Sequence, residues 1–264
     1  MKTYSIFETH AHYDDEAFAE DRNALLSSFE ENGIGTVVNV CASIGEFGRT
    51  VALTEEYPFV YGAVGVHPDD ADKMTEQTLN EIRELSRREK ILAIGEIGLD
   101  YYWHKEEAEH KIQKKMFRAQ MDIAREEKLP FMIHSRDAAK DTLDIVKEYM
   151  DEGMYGGIIH CFSYGKEMAE QYLNMGLYLG IGGVVTFKNG KKLKEVVEYA
   201  PIEQLVLETD SPYLSPEPNR GKRNSSLNLP YVAQAIGELK GISAEEVIRI
   251  TGQNAEKLLF HRTK

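Results

Sequence analysis

Eight short apolar segments alternate along the chain with longer amphipathic ones, and this alternation constrains the fold more than any other feature. The apolar segments are rich in Val, Ile, Ala and Gly with little polar alternation, which is typical of parallel strands buried on both faces. Between them, apolar residues recur at helical spacing, as at Ile112, Met116 and Ile123. The eight predicted strands occupy residues 6–12, 36–42, 59–67, 91–99, 130–134, 157–162, 177–185 and 205–210.

Eight strand–helix units predict an α/β protein with a (β/α)8 TIM barrel. A doubly wound open sheet is the alternative that the same alternation allows. No linker rich in Pro, Gly or Ser divides the 264 residues, so we expect one domain over residues 1–264. Three matches to the capping box, which begin at Ser43, Thr78 and Ser243, predict helix starts.

The chain is acidic and shows no membrane or export signal. Its formal net charge of −13 opposes long-range attraction to nucleic acid or to an anionic membrane. No apolar segment is long enough to span a bilayer, and the N-terminus lacks a signal-peptide pattern. Cys41 and Cys161 lie in predicted strands and are interpreted as buried thiols rather than a disulfide. We therefore expect a cytoplasmic protein with no membrane association and no obligatory protein partner.

Histidine and carboxylate side chains gather at the ends of the predicted strands, where a TIM barrel places its active site. His10 and His12 project from one face of the first strand, close enough for both imidazoles to reach one metal ion. Glu96 stands in an apolar segment without a neighbouring cation, and a buried charge is costly unless it is paired or binds metal. The other members of this set are His67, His134, His160 and Asp210.

Each of these residues also has a structural interpretation. A single His in a strand is more often a hydrogen-bonded core residue, Glu96 could be a paired buried carboxylate, and Asp210 could cap the turn that follows it. Taken together, however, four imidazoles and two carboxylates at strand ends favour a metal site. For His67, a direct role and a structural role both stay open.

Motifs around these residues resemble those of the TatD family of metal-dependent deoxyribonucleases, which belongs to the amidohydrolase superfamily. They run in order through nearly the whole chain as THAH, GVHP, GEIGLDYY, PFMIHSRDA, GGIIHCFSY, IGGVVTFKN, ETDSPYL and RGKRN. The resemblance implies a site for two divalent ions, with Mg²⁺, Mn²⁺ and Zn²⁺ as the candidates. It implies that one ion is held by His10, His12 and Asp210, the other by His134 and His160, and both by Glu96.

The resemblance also implies an activity, the hydrolysis of DNA phosphodiester bonds from the 3′ end, with single-stranded ends as the preferred partner. Two divalent ions can lower the pKa of a bridging water and stabilise the attacking and leaving oxygens. Asp210 is assigned as the general base, and Glu96 and His67 complete the expected catalytic group.

Cations and aromatic residues near the strand ends are candidate DNA contacts. Arg136 follows His134 and could bind phosphate, while Tyr101 and Trp103 follow the fourth strand and could stack on unpaired bases. Barrel enzymes often bind phosphate in the loop after the eighth strand. That loop carries three cations, Arg220, Lys222 and Arg223. The structural alternatives are a solvated basic surface and an aromatic cover of the barrel rim.

Two other functions remain open at this point. A hydrolase of the same superfamily that acts on a small amide, lactone or ester would use the same metal site, but it would not depend on the RGKRN cations. A non-catalytic metal-binding or partner-binding protein is the other alternative. The complete set of expected ligands argues against it.

Overall fold

The structure is a computed structural model that describes residues 5–261, so the first four and last three residues of the predicted domain lie outside the described residues. Eight strands form one sheet in sequence order, and every neighbouring pair is parallel. The strands are β1 (Ile6–Ala11), β2 (Ile34–Val40), β3 (Val60–Val64), β4 (Ile91–Asp100), β5 (Phe131–Arg136), β6 (Gly157–Ile159), β7 (Tyr178–Ile181) and β8 (Leu205–Leu207).

The first and last strands meet, which brings the sheet close to a closed barrel. Ala11 pairs with Ser211 in a parallel bridge, and the Thr9 hydroxyl donates to the Leu207 carbonyl at 2.9 Å. The predicted (β/α)8 TIM barrel is therefore confirmed. The alternative, an open doubly wound sheet, is excluded because its edge strands would not meet.

Nine α-helices in the described part of the chain surround the strands. They are α1 (Arg22–Ser27), α2 (Phe47–Glu56), α3 (Glu76–Leu85), α4 (Glu107–Glu126), α5 (Ala139–Asp151), α6 (Lys166–Asn174), α7 (Lys191–Tyr199), α8 (Leu229–Lys240) and α9 (Ala244–Leu259). No helix within residues 5–261 combines the length and apolar character that crossing a membrane requires.

The predicted helix starts had mixed outcomes. Ser243 caps α9 as predicted, because its side chain accepts from the Glu246 N–H. The start predicted at Thr78 is wrong by one turn, since Thr75 is the cap. The Thr78 side chain accepts from the Thr75 N–H, the role that a Glu has in the usual capping box. Ser43 precedes a short 3-10 helix, Ile44–Glu46, and its side chain makes no cap hydrogen bond.

A buried apolar cluster supports the polar strand ends from the N-terminal side of the barrel. It contains side chains from all eight strands. In most strands these side chains come earlier in the sequence than the polar residues of the site. The end of α9 packs against this cluster, with the rings of Phe7 and Phe260 5.7 Å apart. The C-terminal ends of the strands are thereby left to the polar residues of the site.

Candidate metal centre

The six predicted metal ligands converge at the C-terminal ends of the strands. Each reaches the site from a strand or from the residues directly after one. Their positions are His10 in β1, His12 just after it, Glu96 in β4, His134 in β5, His160 just after β6 and Asp210 after β8. Groups of three from this set lie close enough to hold one ion.

Glu96 occupies the centre of the cluster and is buried. Its Oε2 atom lies 3.4 Å from His10 Nε2 and 3.7 Å from His12 Nε2. Its Oε1 atom lies 2.9 Å from His134 Nδ1 and 3.8 Å from His160 Nε2. The two oxygens of this carboxylate therefore face different groups of imidazoles, as those of a carboxylate shared by two ions would. The two groups are in contact, because the rings of His10 and His160 stack with centroids 3.4 Å apart.

Local backbone packing brings Glu96 and His134 together. Gly98 lies two residues beyond Glu96 on β4, with a φ of +145°, and passes close to the backbone of β5. A Cβ atom at Gly98 would lie only 1.9 Å from the His134 carbonyl oxygen. Glycine is therefore required at this position of the GEIGLDYY motif, where both the backbone angle and the available space exclude a side chain.

Asp210 lies between the two groups of imidazoles. Its Oδ1 atom is 3.4 Å from His12 Nε2 and 3.5 Å from His160 Nε2. The Asp210 backbone has a φ of +59°, and its N–H donates to the His10 carbonyl at 3.0 Å. The carboxylate is 19% exposed, compared with 5% for Glu96, so it is the more accessible to water.

His67 follows β3 and lies at the edge of the cluster. Its Nε2 atom is 3.8 Å from Glu96 Oε1, and its ring meets that of His134 edge to face with centroids 4.3 Å apart. Its Nδ1 atom accepts from the Asp69 N–H at 3.2 Å. With Glu96 and His134, His67 forms a third group of possible ligands. Its direct role stays a prediction.

Three of the ligand imidazoles have a second ring nitrogen beside an oxygen atom. The contacts are His12 Nδ1 to the Val40 carbonyl at 2.7 Å, His134 Nε2 to Asp100 Oδ2 at 3.1 Å and His160 Nδ1 to Glu208 Oε1 at 3.1 Å. The contacts of His12 and His134 are hydrogen bonds, whereas His160 Nδ1 lies near Glu208 without hydrogen-bond geometry. Histidines that bind metal are usually oriented by hydrogen bonds of this kind, because the oxygen fixes which nitrogen carries the proton.

Asp100 and Glu208 were missed by the sequence reasoning. Both are buried carboxylates. Glu208 lies inside the predicted segment 205–210, so the argument that selected Glu96 would have selected it as well, whereas Asp100 directly follows the predicted segment 91–99. Glu8 is a third such residue. Its Oε1 atom accepts from the N–H groups of His10 at 3.1 Å and Thr209 at 2.9 Å. Glu8 thus ties the ends of β1 and β8 together beside the ligands.

The electrostatics of the cluster suit a bound cation. Burial lowers the pKa of His10 to about 4, so its imidazole is neutral at pH 7 and its Nε2 lies 3.2 Å from His12 Nε2. Burial opposes ionisation of Glu96, but the imidazoles around it, His160 first, hold the pKa of its carboxyl well below the usual range. A neutral imidazole nitrogen beside a carboxylate is a donor set that fits a divalent metal.

Comparison with known proteins decides the family. A family model described as "TatD related DNase" matches residues 7–260. The chain belongs to the TatD family. The family predicted from the motifs is therefore confirmed.

Relatives agree on the broad activity of this TatD protein. YabD of Bacillus subtilis (strain 168) is 45% identical over 96% of this chain and 98% of its own length, and TatD of Mycobacterium tuberculosis (strain ATCC 25618 / H37Rv) is 36% identical over 96% and 97%. Both carry the description "uncharacterized metal-dependent hydrolase". The crystal structure of YJJV, a TatD homologue from Escherichia coli K12, superposes with a TM-score of 0.89 at 27% identity and covers 97% of this chain and 98% of that one. The protein is a metal-dependent hydrolase of the TatD family.

An open pocket of about 890 Å³ surrounds the candidate metal centre of this TatD protein. Two of the predicted substrate contacts line it, Trp103 and Arg136. Trp103 is 66% exposed, and the Arg136 guanidinium lies 3.9 Å from the ring centroid of Tyr102 and 5.6 Å from that of Trp103. Tyr213 and Leu214 also line the pocket and were not predicted.

Tyr101 is held away from the pocket by contacts with two helices. Its hydroxyl donates to Asp141 at 2.8 Å, and its ring stacks on His110 with centroids 3.6 Å apart. Within residues 5–261, it is not among the residues that line the pocket. This placement matches the structural alternative, an aromatic cover of the barrel rim, rather than a stacking surface for bases.

The three cations of the RGKRN loop do not line the pocket in the part of the chain that the structure describes. Arg223 binds Asp21 with two hydrogen bonds of 2.7 and 2.6 Å, so its guanidinium is already occupied. The Arg220 guanidinium lies over the ring of Phe187 at 4.3 Å, and Lys222 Nζ is 3.5 Å from Asn219 Oδ1. A phosphate at the metal centre would therefore meet Arg136 before it met these residues.

Proposed function

We propose that this TatD family hydrolase is a deoxyribonuclease that removes nucleotides from 3′ ends of single-stranded DNA, using two divalent ions, Mg²⁺, Mn²⁺ or Zn²⁺. The observation that carries the proposal is the position of Glu96, whose two oxygens face different groups of imidazoles. The description of the matching family model, "TatD related DNase", supports the choice of DNA.

The residues of the cluster would supply most of the ligands that two ions need. One ion would be held by His10, His12 and Asp210, the other by His134 and His160, with Glu96 shared between them. Bound there, the ions would lower the pKa of a water between them and polarise a phosphoryl oxygen. The protein supplies the remaining requirements, which are a proton acceptor and contacts that place the DNA end.

Asp210 is the proposed proton acceptor. Burial opposes its ionisation, but His160 and His12 hold the pKa of Asp210 far below its ordinary value, so the carboxylate is charged at neutral pH. It is also the more accessible of the two ligand carboxylates, which lets it meet a water that enters from the pocket. Because it touches both groups of imidazoles, it can take a proton without moving from the centre.

Arg136 and Trp103 are the proposed contacts to the DNA end. Arg136 can hold a phosphate, and the exposed ring of Trp103 can stack on an unpaired base. Arg136 is the one Lys or Arg among the described residues that line the pocket. A single cation suits one terminal phosphate better than a long phosphate backbone, which favours cleavage at an end over cleavage within a strand.

Hydrolysis of a small amide, lactone or ester is a second candidate, and the charge of the pocket wall favours it. Besides Glu96 and Asp210, the wall carries six more carboxylates, Asp14, Asp15, Glu46, Asp69, Asp70 and Asp100. Such a wall repels a polyanion, whereas a substrate without phosphates is not affected in this way.

A cleavage assay separates the two candidates. Purified protein would be incubated with 5′-labelled single-stranded DNA, duplex DNA and single-stranded RNA in Mg²⁺, Mn²⁺ or Zn²⁺, with chelator as a control. We expect a ladder that shortens one nucleotide at a time, fastest on single-stranded DNA and absent with chelator. No cleavage of any nucleic acid, together with turnover of a small ester, lactone or amide, would replace the first proposal with the second.

A further inference from the structure

Asp100, the last residue of β4, connects the metal centre to the aromatic loop of residues 101–103. Its side chain is 1% exposed, and its two oxygens have different partners. Oδ2 lies 3.1 Å from His134 Nε2. Oδ1 accepts from the backbone N–H groups of Tyr102 and Trp103, both at 2.9 Å.

The backbone of Asp100 is itself fixed by a buried glutamine of α4. The Gln113 side chain accepts from the Asp100 N–H at 3.0 Å and donates to the Asp100 carbonyl at 3.2 Å. Its amide group also lies within 3.4 Å of the Pro68 carbonyl, next to His67. These contacts hold the backbone of Asp100 in place. A change at His134 therefore acts on the loop through the Asp100 side chain and is not absorbed by a shift of the strand.

His134 faces a carboxylate with each ring nitrogen, Glu96 with Nδ1 at 2.9 Å and Asp100 with Nε2 at 3.1 Å. Since a carboxylate only accepts, each nitrogen that carries a proton donates to its carboxylate. A metal bound at Nδ1, on the side of the candidate centre, would take the place of the Nδ1 proton and leave the Nε2 proton with Asp100. A cation bound at Nδ1 would make the Nε2–H a stronger donor to Asp100.

At its other end, Asp100 holds the loop that carries Trp103, the aromatic residue of this loop that lines the pocket. Tyr102 and Trp103 are both exposed, and Arg136 lies over the ring of Tyr102. The hydrogen bonds from their backbone to Asp100 fix the loop from inside. On its outer side, the loop is held by a separate carboxylate, Asp141, through the Tyr101 hydroxyl.

We propose that Asp100 is a positioning residue that couples metal binding at His134 to the conformation of the loop carrying Trp103. Metal binding tightens the contact between His134 and Asp100, and this in turn orders the loop. By reciprocity, a ligand that packs on the ordered loop strengthens metal binding. This role rests on the proposed metal centre but not on the proposed DNA substrate.

Trp103 is the only tryptophan of the chain, so its fluorescence reports on the loop directly. Wild-type protein stripped of metal would be titrated with Zn²⁺, following both Trp emission and the heat of binding. We expect Zn²⁺ binding to change the emission of Trp103. Emission that stays constant while Zn²⁺ binds would overturn the coupling, and a wild-type protein that binds no Zn²⁺ would overturn the metal centre and the coupling together.

Two substitutions of Asp100 separate its two contacts. Asp100→Asn keeps an oxygen for the N–H groups of Tyr102 and Trp103 but offers His134 a nitrogen that cannot accept. We expect metal-free emission like that of the wild type, Zn²⁺ binding weaker by about 10–100-fold at one site, and loss of the emission change. Asp100→Ala removes both contacts and should also alter the emission of the metal-free protein.

Asp141→Ala is the matched control, since Asp141 holds the same loop through Tyr101 but touches no metal ligand. Its Zn²⁺ affinity should fall much less than that of Asp100→Asn. Wild-type Zn²⁺ affinity in Asp100→Asn, or an equal loss in Asp141→Ala, would overturn the assignment. If Asp100→Asn does not fold, judged by its circular dichroism, the wild-type titration and Asp141→Ala still decide the question.

Discussion

His134 on β5 faces Glu96 on the neighbouring strand β4, with His134 Nδ1 2.9 Å from Glu96 Oε1. The second oxygen of Glu96 is directed to the histidines of β1.

Glu96→Gln replaces one of these oxygens with a nitrogen that does not bind metal, so we expect fewer ions per protein and no measurable hydrolysis. Elemental analysis of the metal content and the cleavage assay measure both. Glu126→Gln, at a surface ion pair with Arg83, is the control. Full turnover in Glu96→Gln would remove Glu96 from its central role.

Asp210→Asn tests the proton acceptor. Asparagine keeps an oxygen for the metal but cannot take a proton from water. We therefore expect kcat to fall by about 10²–10⁴-fold with little change in metal content or in KM. A kcat within a fewfold of the wild-type value, at full metal content, would show that another group accepts the proton.

Metal binding should strengthen as the pH rises. Despite burial, Asp210 and Glu96 raise the pKa of His12 to about 9 in the metal-free protein, and Asp100 and Glu96 raise that of His134 to about 9. Both imidazoles are then protonated at pH 7, and each must release a proton before it binds a metal. We expect affinity to rise by up to about tenfold per pH unit per proton between pH 7 and 9, then to level off. Calorimetry in buffers of different ionisation enthalpy counts the protons released. Affinity independent of pH over this range would contradict the prediction.

The same two groups give the stability of the metal-free protein the opposite pH dependence. Their folded pKa lies above the unfolded value of 6.5, so their contribution is fully present below about pH 6.5 and is lost as the pH rises through about 9. The Tm of chelator-treated protein should therefore fall between pH 6.5 and 9. A His12→Gln, His134→Gln double variant is the control, and its metal-free Tm should fall less steeply than that of the wild type. A parallel fall in the variant would assign the effect to other groups.

The ligands were predictable because each breaks a local rule. A histidine or carboxylate at the end of a strand buried on both faces is costly without a metal or a partner, and this cost is visible in the sequence. The same rule would have found Glu208 if it had been applied to every carboxylate in these segments, but it would have missed Asp100, because β4 is one residue longer than the predicted segment 91–99. Glu8 lies in the first of them as well.

The orientation of the loop residues could not be predicted, because it depends on partners that are distant in sequence. Tyr101 and Trp103 are two positions apart, yet one is held by α4 and α5 while the other is exposed in the pocket. Arg223 is occupied by Asp21, a residue 202 positions earlier. No local sequence pattern predicts either contact. The residue types therefore indicated candidate DNA contacts, but the direction in which each side chain points could not be predicted.

The cations around the barrel should therefore differ in their effect on DNA cleavage. Arg136 lines the pocket, so Arg136→Ala should raise KM for single-stranded DNA more than KM for a small phosphodiester. The Arg220→Ala, Lys222→Ala double variant removes two exposed charges outside the pocket and should have a smaller effect that disappears at high salt. Arg223→Ala should leave cleavage of the small phosphodiester unchanged and cost at most about 1 kcal/mol of stability, since its ion pair with Asp21 is partly exposed. Steady-state kinetics at low and high salt, together with thermal unfolding, measure these differences. A larger loss of DNA cleavage from the double variant than from Arg136→Ala would move the phosphate contact from the pocket to the RGKRN loop.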